Sequence, residues 1–227
     1  MLTFAERSWR GGGYAGWTAT IGEPETERAN VFAEFENRLL DQKKQYFKGL
    51  DFNYVKQADL IWDIYGPFDN KGDLTKTFAP ENIKFNVSKE KPTHKATGGT
   101  LVMRHWWAPL ISGIIEQPKE NTTWYAQTQI WSDENKQREF WIGFNNFSRS
   151  MNTDSPNAGT WNNLNSVIWV NNQLVSPPLW KRPNQKGNLE IPLIDEGYEF
   201  REPTKISLKK GWNTVKVKLP VASFKGL

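Results

Sequence analysis

The sequence predicts a mainly β protein, a jelly roll or β-sandwich preceded by two α-helices. Three observations carry this expectation. From about residue 52 onward, short alternating apolar–polar runs follow one another, separated by Gly, Pro and Asn turn signals. No helical pattern intervenes between them, which argues against a βαβ succession and its parallel sheet. Ahead of them, two segments repeat large apolar residues at helical spacing. The expected division is a helical segment over 1–52 and a β-sandwich over 53–227.

The first helix is read from the start of the chain. Leu2, Phe4, Ala5 and Trp9 crowd a segment with no polar lead-in and no cap, where a domain end is ordinarily polar. Such a helix is expected to pack on something outside this sequence. Arg10-Gly11-Gly12-Gly13 stops it, because glycine supplies the positive φ of a sharp exit. Pro24, Glu25, Thr26 and Glu27 suit the start of a second helix, with acids at the positive end of its dipole. Phe32, Phe35, Leu39, Tyr46 and Phe47 then recur against Glu34, Glu36, Arg38, Asp41, Lys43 and Lys44, and Gly49 ends the run. Phe4, Trp9, Phe32, Phe35 and Leu39 are the expected packing residues, with the charged set in solvent.

Strands follow. Leu60–Tyr65 runs into Gly66-Pro67, read as a turn, and Thr100–Met103 follows the Gly98-Gly99 pair. Between Trp124 and Trp131, Trp124, Ala126, Thr128 and Ile130 alternate with Tyr125, Gln127, Gln129 and Trp131, and Phe140, Ile142 and Phe144 share one face. Ile168–Val170, Asn171-Asn172 and Gln173–Val175 read as a hairpin, since Asn tolerates the left-handed turn conformation. Ile206–Leu208 meets a Lys209-Lys210-Gly211 turn. Val215, Val217 and Leu219 then alternate with Lys216 and Lys218, the pattern of a half-buried strand. The Asn-, Pro- and Gly-rich stretch 150–197 is expected to hold long loops.

Composition narrows the function. Lys and Arg total 29 against 25 Asp and Glu, and the +4 balance is spread without a long basic run, a poor match for nucleic acid or a polybasic membrane contact. No stretch approaches the roughly 18 apolar residues of a membrane span. Zero cysteines exclude disulfides and thiolate chemistry, and His94 and His105 leave little for a metal cluster. No metal or cofactor is expected. The unusual quantity is 12 tryptophans, residues that fill cores and also make flat binding faces.

Paired carboxylates, as a glycosidase needs, occur at Asp133-Glu134 and Asp195-Glu196, but both pairs sit where solvated turns belong. His94 falls in a Lys-rich loop and His105 beside Trp106 and Trp107, more the setting of a hydrogen-bonded histidine than of a catalyst. Gly11-Gly12-Gly13 and Gly98-Gly99 lack the context and the Lys of a phosphate loop. The one constellation with a functional reading is Arg104, His105, Trp106 and Trp107, with Trp124, Trp131, Trp141, Asn145 and Asn146. Sugars stack C–H faces on indoles and pair hydroxyls with Arg, Asn and His. The same composition suits an interface with another domain, where Trp and Arg are enriched.

Phe4-Ala5-Glu6-Arg7-Ser8-Trp9 and the following Gly-rich run resemble the last barrel helix of glycoside hydrolase family 20, the β-N-acetylhexosaminidases. Phe35–Leu40 through Gln45–Phe47 is similar to the helix after it. Tyr54–Gln57, Trp62-Asp63 and Gly66-Pro67-Phe68 resemble the link into a C-terminal β-domain of Bacteroidetes-type members. Trp141–Asn146, Ile168–Asn171 and Leu208–Val215 resemble galactose-binding-like jelly rolls, with Asn172 where Gly commonly follows Trp-Val-Asn. The resemblance implies that this chain is the C-terminal accessory part of such an enzyme, periplasmic or extracellular, whose partners are the missing barrel of the same parent protein and N-acetylhexosamine-containing glycans. It carries no catalytic residue onto this chain, since the family's Asp-Glu pair belongs to the fourth barrel strand, and whether the chain alone is an enzyme stays open. The alternatives are a stand-alone carbohydrate-binding module and a structural interaction domain without ligand. The family domain is also expected to continue past Leu227.

Overall fold

The computed structural model describes residues 8–11, 20–50, 54–83, 85, 89–105, 107–144, 156–180, 183–184 and 203–224. Among these residues the protein is mainly β, with antiparallel strands forming two sheets. The chain divides into two compact units, Met1–Trp62 with His94–Gln117, and Asp63–Thr93 with Pro118–Leu227.

In the first unit, residues 8–10 are helical, and helix α1 spans Glu27–Gln45. Thr26 caps α1 by accepting from the Ala29 N–H at 3.3 Å, with Glu27 in the first turn and Lys43 and Lys44 in the last, all matched to the helix dipole. Phe32, Phe35 and Leu39 are half-buried, and the Phe32 and Phe35 rings lie 6.3 Å apart. Trp9 is exposed, and Phe4 lies outside the described residues.

Glu36 departs from expectation: placed with the solvated charges by its sequence, it is fully buried. Its carboxylate accepts from the Tyr54 hydroxyl at 2.7 Å and from the N–H groups of Gln57 and Ala58 at 2.5 and 2.8 Å. A buried carboxylate is tolerable when its lone pairs are filled this way. Gln57 extends the link, its Oε1 accepting from the Gly99 N–H at 2.5 Å. The strand of this region also shifts. Strand β2 is His94–Thr97, ahead of the glycine pair, and 100–103 is not a strand. His94 therefore belongs to a strand and not to a loop. The Trp62 indole donates to Gly98 O at 2.9 Å and closes this corner.

In the second unit, strands β1 (Ile61–Asp69, its first two residues in the first unit), β3 (Thr122–Ser132), β8 (Gly211–Val221), β5 (Val167–Val170) and β6 (Gln173–Leu174) lie side by side in that order. Strands β4 (Lys136–Phe140) and β7 (Thr204–Leu208) form the second sheet. The long pair β3–β8 keeps register from Thr122↔Val221 to Ser132↔Gly211. Val170, Ile206 and Leu208 form a core cluster, with Ile130, Phe140, Ile142, Val175 and Val215 packed on it, so the two sheets share this face. Gly66-Pro67 is no turn: β1 runs through it as a bulge, with the register shifting between Tyr65 and Phe68. Gly66 has φ 141°, and a Cβ there would stand 2.7 Å from the Trp124 ring, so only glycine fits.

The opposite face of β3 and β8 contradicts the half-buried pattern. Lys216 and Lys218 are 8% and 3% exposed, while Val215, Val217 and Leu219 are half-buried. What covers the lysines is the segment that leaves β1, residues 70–82. Lys218 Nζ donates to the carbonyls of Thr75 and Lys76 at 3.2 and 2.8 Å and pairs with Glu81 at 2.8 Å. Lys216 Nζ donates to Pro80 O at 2.6 Å. The Tyr125 hydroxyl, directly across from Lys218, donates to the same Glu81 oxygen at 2.5 Å. Phe78 stacks on Phe68 at 5.1 Å, and Phe68 meets Tyr125 edge-on at 5.7 Å. Asn70, fully buried, starts the strap by donating to Thr123 Oγ1 and Val221 O, both at 3.3 Å.

Two predictions follow from this strap. Glu81→Ala removes the only carboxylate within salt-bridge distance of Lys218 among the described residues, and should cost about 3–5 kcal/mol in urea or guanidinium unfolding. Burial first, then the hydrogen bond to Glu81 and its charge, push the Tyr125 phenol well above 10.0. The folded chain keeps that proton where the unfolded chain loses it. This contribution is therefore complete below pH 10 and is lost as pH rises further. Burial pulls Lys216 downward, opposed in part by Glu81, and its contribution runs the other way, rising with pH toward 10.5. Tyr125→Phe should flatten the alkaline fall of the unfolding midpoint and lower neutral-pH stability by about 1–2 kcal/mol.

Candidate functional site

The aromatic and polar residues singled out in the sequence fall in both units. Arg104, His105 and Trp107 belong to the first, Trp131 to the second. Trp106, Asn145 and Asn146 lie outside the described residues, as does Asp195-Glu196. In the first unit, His105 Nδ1 accepts from the Trp107 N–H at 3.1 Å, and the two rings meet edge-on with centroids 6.2 Å apart. The Ala108 N–H donates to His105 O, and the Leu110 N–H to Trp107 O. His105 thus pins a tight turn, with one ring nitrogen committed as an acceptor. Arg104 is half-buried beside it, and Trp107 is exposed.

Asp133-Glu134 forms the turn between β3 and β4, as expected. Lys136 holds Asp133 at 2.8 Å and, chiefly through that hydrogen bond, keeps its carboxyl below the ordinary range. Both carboxylates are solvent-facing and belong to the turn.

The second unit offers a more definite surface. Side chains on one face of a sheet recur every second residue, and register carries them across strands. On the face with the buried lysines, successive rows read Tyr65–Tyr125–Lys218–Val167, then Asp63–Gln127–Lys216–Trp169–Leu174, then Gln129–Thr214, then Trp131–Trp212. The strap supplies partners to the first two rows. The last two are open: Trp131 is 60% exposed, Trp212 58%, and Gln129 is exposed beside a half-buried Thr214. The two indoles meet edge-to-face, centroids 5.3 Å apart and planes at 74°. Leu174 is exposed two strands away.

Trp212 owes its position to Asn213. This fully buried amide uses its whole capacity. Its Oδ1 accepts from Asn171 Nδ2 at 2.8 Å and Lys209 N at 2.9 Å, and its Nδ2 donates to Lys209 O at 2.8 Å and Gly211 O at 3.0 Å. Asn171 answers by accepting from the Thr214 N–H at 3.1 Å. Asn171 and Asn172 sit at φ 50° and 65°, giving the expected β5–β6 hairpin. Composition drew attention to Trp131 but not to Trp212 as a site residue. Trp212 stands opposite Trp131 through the long-range register of β3 and β8, which leaves no local signal in the sequence.

Asn213→Leu keeps the volume but strands the donors and acceptors of two turns. It should destabilise the chain by about 2–4 kcal/mol and shift the fluorescence of the exposed indoles. Asn172→Gly relieves a positive φ and should leave stability unchanged or raise it by up to about 1 kcal/mol, read from the unfolding midpoint.

Neither a protein-family model nor a curated protein matches this chain. Among solved structures, the chain is similar to a β-glucosidase from Kluyveromyces marxianus in complex with glucose, at 15% identity and a TM-score of 0.24. The match covers 70% of this chain and 14% of that one. A likeness this shallow assigns neither fold nor activity.

Proposed function

We propose that this chain is an accessory region of a glycoside hydrolase of the β-N-acetylhexosaminidase type, and that its β-sandwich contacts glycan at the open end of the β3–β8 face. The observation that carries the glycan contact is the exposed Trp131–Trp212 pair beside Gln129 and Thr214. Flat indole faces suit the C–H face of a pyranose, and a neighbouring amide and hydroxyl suit its hydroxyl groups. No formal charge stands in these two rows, which favours a neutral sugar over a phosphate or a carboxylate ligand. The likeness of the N-terminal segments to family 20 barrel helices supports the parent enzyme and the N-acetylhexosamine class. Catalysis is assigned to the parent's barrel and to no residue of this chain.

A structural docking role is the competing reading. It is favoured by the exposed Tyr46 and Leu50 at the end of α1, where Leu40, Phe47 and Leu50 line an open hollow rimmed by Lys43, Lys44 and Lys48. Calorimetric titration of the purified chain with N-acetylglucosamine oligomers separates the two. Saturable binding, weakened tenfold or more by Trp131→Ala in a chain that still unfolds cooperatively, is the expected outcome. No binding, together with concentration-dependent self-association, would favour docking, and turnover of a chromogenic N-acetylglucosaminide at enzymatic rates would overturn the accessory assignment.

A further inference from the structure

The geometry of the tryptophan pair points to the form of glycan it takes: one sugar residue of a single soluble chain, seated in the corner between two perpendicular rings, and not the flat face of a crystalline polysaccharide. This rests on the glycan contact proposed above and deepens it. A crystalline surface presents many sugars in one plane, so aromatic residues that bind it must present coplanar faces. The Trp131 and Trp212 planes stand at 74° to each other, so when one lies flat on such a surface the other stands on edge. Their centroids are 5.3 Å apart, a separation on the scale of a single pyranose, so both rings fall within one sugar's footprint.

The corner is held rigidly. Trp131 and Trp212 are directly paired on adjacent strands, and each neighbours a buried anchor, Ser132 on β3 and Asn213 on β8. Rotating the two rings into one plane would sacrifice their edge-to-face contact. One indole is left to stack on the sugar and the other to close its side, with Gln129 and Thr214 in the next row to meet hydroxyls. A corner preorganised in this way selects a chain that can enter it sideways or by its end.

The test uses the whole chain with two probes, soluble N-acetylglucosamine oligomers of increasing length and crystalline chitin. Titration should show binding that gains little beyond two or three sugars. Trp131→Ala and Trp212→Ala should each weaken it tenfold or more, and Gln129→Ala, a substitution at an exposed position that leaves the ring pair intact, should weaken it severalfold. Any retention on chitin should be released by the soluble oligomer. Retention on chitin without binding or competition by the oligomer would overturn the corner while leaving a glycan contact standing. An affinity that climbs steadily with oligomer length would also overturn it. Silence with both probes would overturn the corner and the glycan contact together.

Discussion

Two ammonium groups buried under a loop set the terms for the rest of the second unit. Lys216 and Lys218 arise from the central strand β8, where covered faces are ordinarily apolar. An uncompensated charge there costs several kcal/mol, so the chain must bring partners to it. Residues 70–82 do so with the carbonyls of Thr75, Lys76 and Pro80 and the carboxylate of Glu81. Hydrogen bonds to fixed carbonyls are directional, so the lysines dictate where the strap lies. Aromatic packing of Phe68, Phe78 and Tyr125 then fills the space between strap and sheet. The strap gives partners to Tyr125, Lys216 and Lys218 in two rows of the face and leaves the next two rows open, and the open rows carry the tryptophans.

The same economy of polar groups operates at the other end of β8. Asn213 and Asn171 join the β7–β8 turn to the β5–β6 turn through side-chain amides, so two turns share one hydrogen-bond network. Trp212 precedes Asn213 and points to the opposite face by the pleat. The buried amide therefore acts as the anchor of an exposed ring. In the first unit Glu36 has a corresponding structural role, fixing 54–58 against α1. In each case a polar side chain organises chain segments that are distant in sequence, where a methyl group would supply contact without direction.

These polar anchors are also where sequence and structure part. Alternation located β3 and β8, turn chemistry located the Asn171-Asn172 hairpin and the Asp133-Glu134 turn, and period 3.6 located α1. Those features rest on local preferences that short windows contain. The burial of Lys216, Lys218 and Glu36 rests on partners 18 to 143 residues away, and a charged residue carries no local mark of a distant carbonyl, hydroxyl or N–H. Gly66-Pro67 misled for a related reason. Its usual meaning is a turn, but here the missing Cβ admits the Trp124 ring from the adjacent strand. The candidate site divides in the same way. Trp131 was visible as an aromatic in an alternating strand, whereas its joining with Trp212 depends on strand register across 81 positions.

Register also bears on why the two indoles remain at the surface. An edge-to-face aromatic pair contributes about 0.5–1.5 kcal/mol beyond its buried area, so Trp131 and Trp212 help to hold β3 against β8. That contribution does not require the open position. The row beneath the strap holds Tyr125 in edge contact with Phe68 and fully buried, which shows that this sheet face can enclose its aromatics when a loop covers them. At the tryptophans the covering stops, and both residues are more than half exposed. A pair kept for register alone would gain from burial of its apolar area once each indole N–H found an acceptor, because apolar area removed from water is stabilising. The open rings, flanked by neutral hydrogen-bonding groups and fixed by Asn213, therefore suit recognition of an external ligand better than they suit stability.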